Sequence, residues 1–420
     1  MRNTDYFQGK KVTVVGLARS GLACANLLYN LGAEVSVTDN QDNLSLRQNV
    51  SKLESEDIKF ELGRHSEDFI KDRDIIVLSP GVSDDSLPVV LAERLGIPVI
   101  AEIEVGWIVC PATVIAVTGT NGKTTVTTLI GKILETQGRR VCVCGNIGNP
   151  FCNEVDKMDK DTFVSLEISS FQLERIREFK PKIAVMLNFS SNHLDRYKDV
   201  AQYLNAKKRI YMNQDESDHL ILNQNDQTLR ALAGEARSKV TFFNEGQGLN
   251  PNQAAVMAVG SVLGIAHQLC LDVFRNFKGI GHRLEFVFEI GGIRFVNDSK
   301  ATTVDSAAWA LRNITAPIIL ICGGRDKGND YAIISDLMQD KVKEVFLIGE
   351  ARAKMRSAFG RLLPVQEVNS LEEAVRLAFN KAKRGYTVLL SPMCSSFDMF
   401  VDYEDRGRRF KKAVQDLIKK

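Results

Sequence analysis

The 420-residue chain has almost no excess of either charge: 54 Lys and Arg stand against 52 Asp and Glu, a formal net charge of +2. The bulk cationic field that holds nucleic acid non-specifically is therefore missing, so no nucleic-acid partner is expected and any anionic ligand has to be held by local groups. No apolar run approaches the ~18 residues of a membrane span, and the opening MRNTDYFQGKKVTVVG lacks an apolar signal core. A cytoplasmic protein with no membrane span is expected. The eight cysteines show no C-x-x-C spacing and no paired framework, which reads as buried reduced thiols. No short period repeats, so solenoids are set aside. With 44% apolar and 25% charged residues, disordered and collagenous classes fall away too, and the length suits two to four domains of ~150 residues.

What is present is a series of short β-branched runs, each ending at glycine or a turn. Lys11 to Val15 stops at Gly16, Ser20 to Leu31 has helical spacing, and Glu34 to Thr38 alternates like a second strand, which together make a βαβ opening. Asp74 to Leu78 before Ser79-Pro80-Gly81, and Ile97 to Ile100, complete a small doubly wound domain over 1–109. A second domain, 110–282, starts with a strand at Val114 to Val117. Further strands are expected at Thr162 to Ile168, Ile183 to Leu187 and His219 to Leu222, with an Ala-rich helix over Asn252 to Leu263. Glycines at 279 and 281 read as a hinge, and strands at Arg294 to Val296, Ile318 to Cys322, Glu344 to Ile348 and Thr387 to Leu390 build a third domain, 283–420. The fold class is α/β, with Rossmann-like outer domains and a central phosphate-loop domain on a mostly parallel sheet.

TGTNGKTT (118–125) lies between a strand and an amphipathic helix, so backbone N–H groups and the positive end of the helix dipole can converge on phosphate. Gly119 and Gly122 permit close approach, Thr120, Asn121 and Thr125 complete the loop, Lys123 adds a mobile cation, and Thr124 offers a hydroxyl where a Walker-type loop uses one on Mg²⁺. Val117 sits where the first glycine of that pattern would fall. The plain alternative is an ordinary β-to-α turn rich in Thr and Gly. The loop says nucleotide without saying which reaction.

EISSFQLE (167–174), NFSSNHLDRY (188–197), the lysine in AKKRIY (206–211), GHRLE (281–285), NDSKATT (297–303), GGRDKG (323–328) and SPMCSSFDMF (391–400) follow in order. Together with the loop they resemble the Mur ligases of peptidoglycan synthesis, and within that family the members that add D-glutamate. The resemblance runs from GLARSG near the start into the 390s. It implies ATP-driven amide formation: the alanine carboxylate of UDP-N-acetylmuramoyl-L-alanine attacks the γ-phosphate, and the amine of D-glutamate displaces phosphate from the acyl phosphate. Charge developing in such a transfer calls for metals and fixed donors.

By the same resemblance, Lys123, His193 and Lys207 are catalytic, and Thr124, Glu167, His193 and Lys207 hold Mg²⁺, a pair of ions being expected. Glu167 ends an apolar strand and suits a hard cation, although it also adjoins a helix N-cap at Ser169-Ser170. His193 read alone is a loop histidine capped by Asp195. An ordinary lysine, pKa ~10.4, would repel Mg²⁺, so the family's carbamylated lysine is what makes Lys207 a ligand. From the residues themselves, the basic triplet Lys207, Lys208 and Arg209 reads as a solvated helix face.

The nucleotide base and ribose are assigned to Asn250, Arg283 and Asp298, with Lys300 nearby. This chain has Leu249 and Gln253 where the family pattern H-N-x-x-N has its histidine and second asparagine. The uridine diphosphate moiety falls to Arg19, Ser20, Asp39, Asn40, Ser79 and Gly81, and the muramoyl-alanine arm to Asn146. GLARSG followed by Asp39 also imitates a dinucleotide fingerprint, with Ala18 at its second glycine. D-glutamate recognition maps to Thr302, Lys327, Ser396, Phe397 and Tyr403, Lys327 supplying the charge that a carboxylate needs. Asp326-Lys327-Gly328 read alone is a solvated turn.

The D-N-P-R motif that marks the diaminopimelate-adding members is missing. A monomer is expected. The rivals are another amino-acid specificity, a folylpolyglutamate synthetase (which lacks the first domain), a nucleotide-gated binding protein, and a dehydrogenase resting on GLARSG alone.

Overall fold

The computed structural model describes residues 3–190, 196–246, 248–315, 317–326 and 328–418, so His193, Asp195 and Lys327 lie outside the described residues. Three sheets are present. The first has β1 (Lys11–Val15), β2 (Glu34–Asp39), β3 (Lys59–Leu62), β4 (Ile75–Leu78) and β5 (Val99–Ala101) in the order β3-β2-β1-β4-β5, with every pair parallel. Chain direction across this sheet reverses its winding between β1 and β4, which leaves a crevice at their carboxyl ends, where Gly16 and Ser79 sit.

The second sheet holds β6 (Thr113–Thr118), β7 (Arg140–Gly145), β8 (Thr162–Glu167), β9 (Ile183–Met186), β10 (His219–Asn223) and β11 (Lys239–Phe243). Its order is β11-β10-β9-β6-β8-β7, again all parallel. The third has β12 (Glu285–Ile290), β13 (Ile293–Asn297), β14 (Ile318–Gly323), β15 (Val342–Ile348), β16 (Val365–Glu367) and β17 (Thr387–Leu390) in the order β12-β13-β17-β14-β15-β16. Only β12 runs antiparallel to its neighbour there. The architecture is α/β, as the sequence predicts, and each strand read from the sequence is present within a few residues of its expected ends. Five more, β3, β7, β11, β12 and β16, are not among the strands expected from the sequence.

Parallel strands covered by helices on both faces have no solvent side, so β4 (IIVL) and β14 (IILICG) are apolar and buried along their whole length. One apolar core is continuous from the first sheet into one face of the second, joining Val12 and Val14 through Trp107 and Phe151 to Val114 and Leu166. The other face of the second sheet packs on the helices Lys123–Thr136, Pro251–Val262 and His267–Asn276. That shared core explains why the chain divides into two compact units rather than three, Met1–Phe277 and Lys278–Lys420. The third sheet has a core of its own on each face. All eight cysteines are free, Cys142 alone being half-buried, and among the described residues no helix is long and apolar enough to cross a membrane.

Candidate functional site

Strand order brings three loops together. β6 lies between β9 and β8, so the segments leaving these three strands emerge side by side at one edge of the sheet. They are the glycine loop, the Asn188 segment and the Glu167 segment. Gly119 and Gly122 have φ of +150° and +84°, values that side chains disfavour. A Cβ on Gly119 would press on Leu187, and one on Gly122 would collide with the Asn252 side chain. The helix that follows starts with Gly122 as N-cap, has no side-chain cap and carries no acid in its first turn. Such a terminus suits an anion.

Asn188 fixes the loop. Its Oδ1 accepts from the N–H of Asn121 at 2.8 Å, its Nδ2 donates to the Asn121 carbonyl at 3.1 Å, and its own carbonyl accepts from Thr120 N–H at 3.1 Å. The Lys123 ammonium folds back onto the carbonyls of Gly119 (2.9 Å) and Thr120 (3.0 Å). Thr124, at the second helical position, is buried. The sequence places Asn188 in a motif but does not single it out. Its signal was the asparagine that follows β9, opposite the glycine loop.

Glu167 ends β8 in register with Val117, the residue before Thr118, and is only 2% exposed. Its Oε1 accepts from the Asn146 amide at 2.8 Å, while Oε2 is buried with no hydrogen-bond partner among the described residues. Asn146 thus holds the carboxylate. An orphaned buried carboxylate oxygen beside a phosphate-type loop fits a hard cation, which takes oxygen ligands. Ser169 caps the short helix Ser170–Leu173, in a capping box with Gln172, as the alternative reading of this segment expects.

Lys207, on the helix Val200–Lys208, is not on a solvated face: it is 2% exposed, and its amine donates to the Gly119 carbonyl at 3.1 Å. Burial, with the charge of Lys123 as a second cause, holds its pKa well below the ordinary lysine value. The amine also lies 4.7 Å from the centre of the Tyr203 ring. No cluster of three or more His, Cys, Asp or Glu side chains is gathered for a metal among the described residues.

In the first sheet, Ser79 Oγ donates to the Gly16 carbonyl at 2.8 Å, and a Cβ on Gly21 would strike that same carbonyl, which explains both glycines of GLARSG. Asp39, at the end of β2, accepts from Leu17 N–H (2.8 Å) and Gln41 N–H (3.0 Å). Arg19, Asn40 and Gly81 are exposed around this crevice, and Ser20 is half-buried. Asn250 serves as the N-cap of Pro251–Val262 in a reciprocal capping box with Gln253, so Gln253 completes a helix start.

Within the second unit, Asp298 accepts from Leu284 N–H (3.2 Å) and Ser391 Oγ (2.9 Å), and burial pushes its carboxyl up to about 7. These bonds hold the GHRLE turn that carries Arg283, whose neighbours His282 and Leu284 both have positive φ. Arg406, absent from the sequence reading, is fully buried. It donates to Ser299 Oγ (3.0 Å) and to the carbonyls of Ser299 (2.9 Å), Cys394 (3.1 Å) and Ser395 (3.3 Å). It ties NDSKATT to SPMCSSFDMF and so brings Thr302, buried Ser396 and exposed Phe397 onto one braced pair of loops. Tyr403 lies beside them, with the Lys300 ammonium 5.6 Å from its ring centre.

Three domain families match the chain: the Mur ligase MurD-like N-terminal domain over residues 10–101, the Mur ligase middle domain over 117–263, and the Mur ligase glutamate ligase domain over 282–394. The UDP-N-acetylmuramoylalanine–D-glutamate ligase of Geotalea daltonii is 40% identical and covers 98% of each chain. The protein of the same name from Koribacter versatilis is 39% identical over the same shares. The crystal structure of UDP-N-acetylmuramate-alanine ligase MurC from Thermotoga maritima shares the fold, with a TM-score of 0.60 at 20% identity over 97% of this chain and 99% of that one.

Proposed function

The chain belongs to the Mur ligase family, and from that premise we propose that it joins D-glutamate to UDP-N-acetylmuramoyl-L-alanine at the expense of ATP, through an acyl phosphate, in peptidoglycan precursor synthesis. The observation that carries this reading is Lys207: a buried amine whose pKa burial and the charge of Lys123 hold well below the ordinary lysine value, in contact with the glycine loop. A lowered pKa leaves more of the amine in its neutral form, whose nitrogen can attack CO₂ and lose a proton, forming an N-carboxylate. That converts a would-be cation into an anionic oxygen ligand beside Glu167.

Thr124, Glu167, His193 and the carbamylated Lys207 would hold Mg²⁺, which offsets phosphate charge when bound. The loop N–H groups receive the phosphates, and Lys123 exchanges its two carbonyl partners for phosphate oxygens. Asn146 keeps Glu167 aimed, and Asn188 keeps the loop in shape. The alanine carboxylate attacks the γ-phosphorus as the bond to the leaving ADP oxygen breaks. The amine of D-glutamate then attacks the acyl carbon, loses a proton and expels phosphate.

We assign the uridine diphosphate to Arg19, Ser20, Asp39, Asn40, Ser79 and Gly81, and the muramoyl arm to Asn146. Adenosine falls to Asn250, Arg283 and Asp298, and the acceptor to Thr302, Lys327, Ser396, Phe397 and Tyr403. The working state is a cytoplasmic monomer divided at 1–109, 110–282 and 283–420.

Phosphate release in the presence of ATP, Mg²⁺ and UDP-N-acetylmuramoyl-L-alanine tests the reading, with D-glutamate, L-glutamate, glycine and L-alanine compared as acceptors. Release with D-glutamate alone is expected. Release driven by L-alanine, or none with D-glutamate, would overturn the specificity.

A further inference from the structure

We infer that Arg196 is a positioning residue for the donor substrate, holding the Ser79–Gly81 turn of the first sheet in place from the motif of the second sheet that contains His193. The inference rests on the ligase reading above and adds a residue to it. The Arg196 guanidinium donates to the carbonyls of Pro80 (3.1 Å) and Val82 (2.9 Å), more than 110 residues away in the chain, and to the Glu174 carboxylate (2.8 Å). Both charged side chains are largely buried, at 18% and 14% exposure, so the bonds are poorly screened. Three acceptors in a fork suit a planar guanidinium, and a lysine cannot reach all of them at once.

The turn so held is the one whose Ser79 hydroxyl bonds the Gly16 carbonyl. On its other side Arg196 lies 4.2 Å from the centre of the Phe171 ring, in EISSFQLE. Phe171 packs on Tyr197 (5.9 Å between ring centres), Tyr197 on Tyr203 (5.2 Å), and Tyr203 faces the Lys207 amine. One run of contacts therefore joins the donor crevice to the lysine at the phosphate loop.

The docking of the two sheets does not depend on Arg196. Arg175 pairs with Asp84 and Glu93 at 2.9 Å each, and Glu104 accepts the backbone N–H groups of Arg177, Glu178 and Phe179. Loss of Arg196 should release the turn and leave the sheets together.

The test is Arg196→Met, which keeps much of the apolar stem without the donors, with Arg196→Lys as the milder variant. Calorimetric affinity for UDP-N-acetylmuramoyl-L-alanine without ATP, KM for each substrate, and the thermal midpoint are measured. Arg196→Met is expected to weaken donor binding and raise donor KM about tenfold or more, with the KM values for ATP and D-glutamate within about twofold and the midpoint unchanged. Arg196→Lys falls between, and decides alone if the methionine variant does not fold. Unchanged donor affinity in the variant that folds would overturn the inference. So would an equal rise in all three KM values with a lowered midpoint, the signature of a merely structural role. A wild type that binds donor but ligates no D-glutamate would sink the ligase reading alone, because the binding measurement still judges Arg196.

Discussion

At position 207 a lysine sits 2% exposed with its amine on the Gly119 carbonyl, and burial first and the charge of Lys123 second hold its pKa well below the ordinary value. Lys207→Ala should lower turnover by about a thousandfold or more, since a charge ligand at the transferring phosphate is lost. Small carboxylates such as acetate should restore part of it. Unaltered turnover in the variant would remove Lys207 from the site. Glu102 shows burial acting on an acid. Neither carboxylate oxygen makes a hydrogen bond among the described residues, and burial pushes the carboxyl from 4.5 up to about 7, against the weaker influences of Gln172, Cys152 and Arg19. Because the folded pKa is raised, the fold favours the protonated acid. Its contribution is complete below about pH 4.5 and is lost as pH rises through about 7. Glu102→Gln cannot ionise, so between pH 5 and pH 8 it should gain up to about 3 kcal/mol relative to wild type. Urea unfolding at the two pH values checks this. A difference that does not change with pH would refute it.

Among the elements, the five strands invisible in the sequence all lie at sheet edges. β3 (KFEL), β7 (RVCVCG), β11 (KVTFF), β12 (EFVFEI) and β16 (VQE) each pair on one side only. An edge strand is partly solvated and often carries charge, which also discourages pairing with other chains, so its pattern is more mixed than that of a central strand; β7, with its Val-Cys-Val-Cys run, is the exception. β12 even turns Phe286 and Phe288 outward, at 54% and 46% exposure. The glycine loop was the most legible element, because its glycines and lysine are neighbours in the chain between a strand and a helix. Asn188 was not, because its partners lie 67 residues away. Asn188→Ala removes two side-chain bonds to Asn121 and should raise the KM for ATP about tenfold with little change in the thermal midpoint. Steady-state kinetics with ATP varied would show it. An unchanged KM would mean that the loop keeps its shape without Asn188.

For the whole molecule, the two compact units are joined next to Gly279 and Gly281, neither of which has a side-chain-sized neighbour where a Cβ would stand. Candidate nucleotide and acceptor residues such as Arg283, Asp298 and Ser396 belong to the second unit, and Lys123, Glu167 and Lys207 to the first. The ligase reading proposed above draws on both sets, and from that reading closure on ligand binding is the expectation. The radius of gyration from small-angle scattering should fall when a non-hydrolysable ATP analogue and UDP-N-acetylmuramoyl-L-alanine are added together. An unchanged radius would count against closure.

The α/β class, twelve of the seventeen strands and the family were legible in the sequence alone, since each rests on short-range pattern or on motifs that can be matched residue by residue. Tertiary structure decided the rest. It buried Lys207 and lowered its pKa where local pattern reads a solvated basic triplet. It left one oxygen of Glu167 without a partner among the described residues, and it enlisted Asn188, Arg196 and Arg406. The physical reason is that burial and hydrogen-bond partnership are properties of segments distant in the chain, and no local run of residues records which carbonyl or carboxylate will arrive beside it.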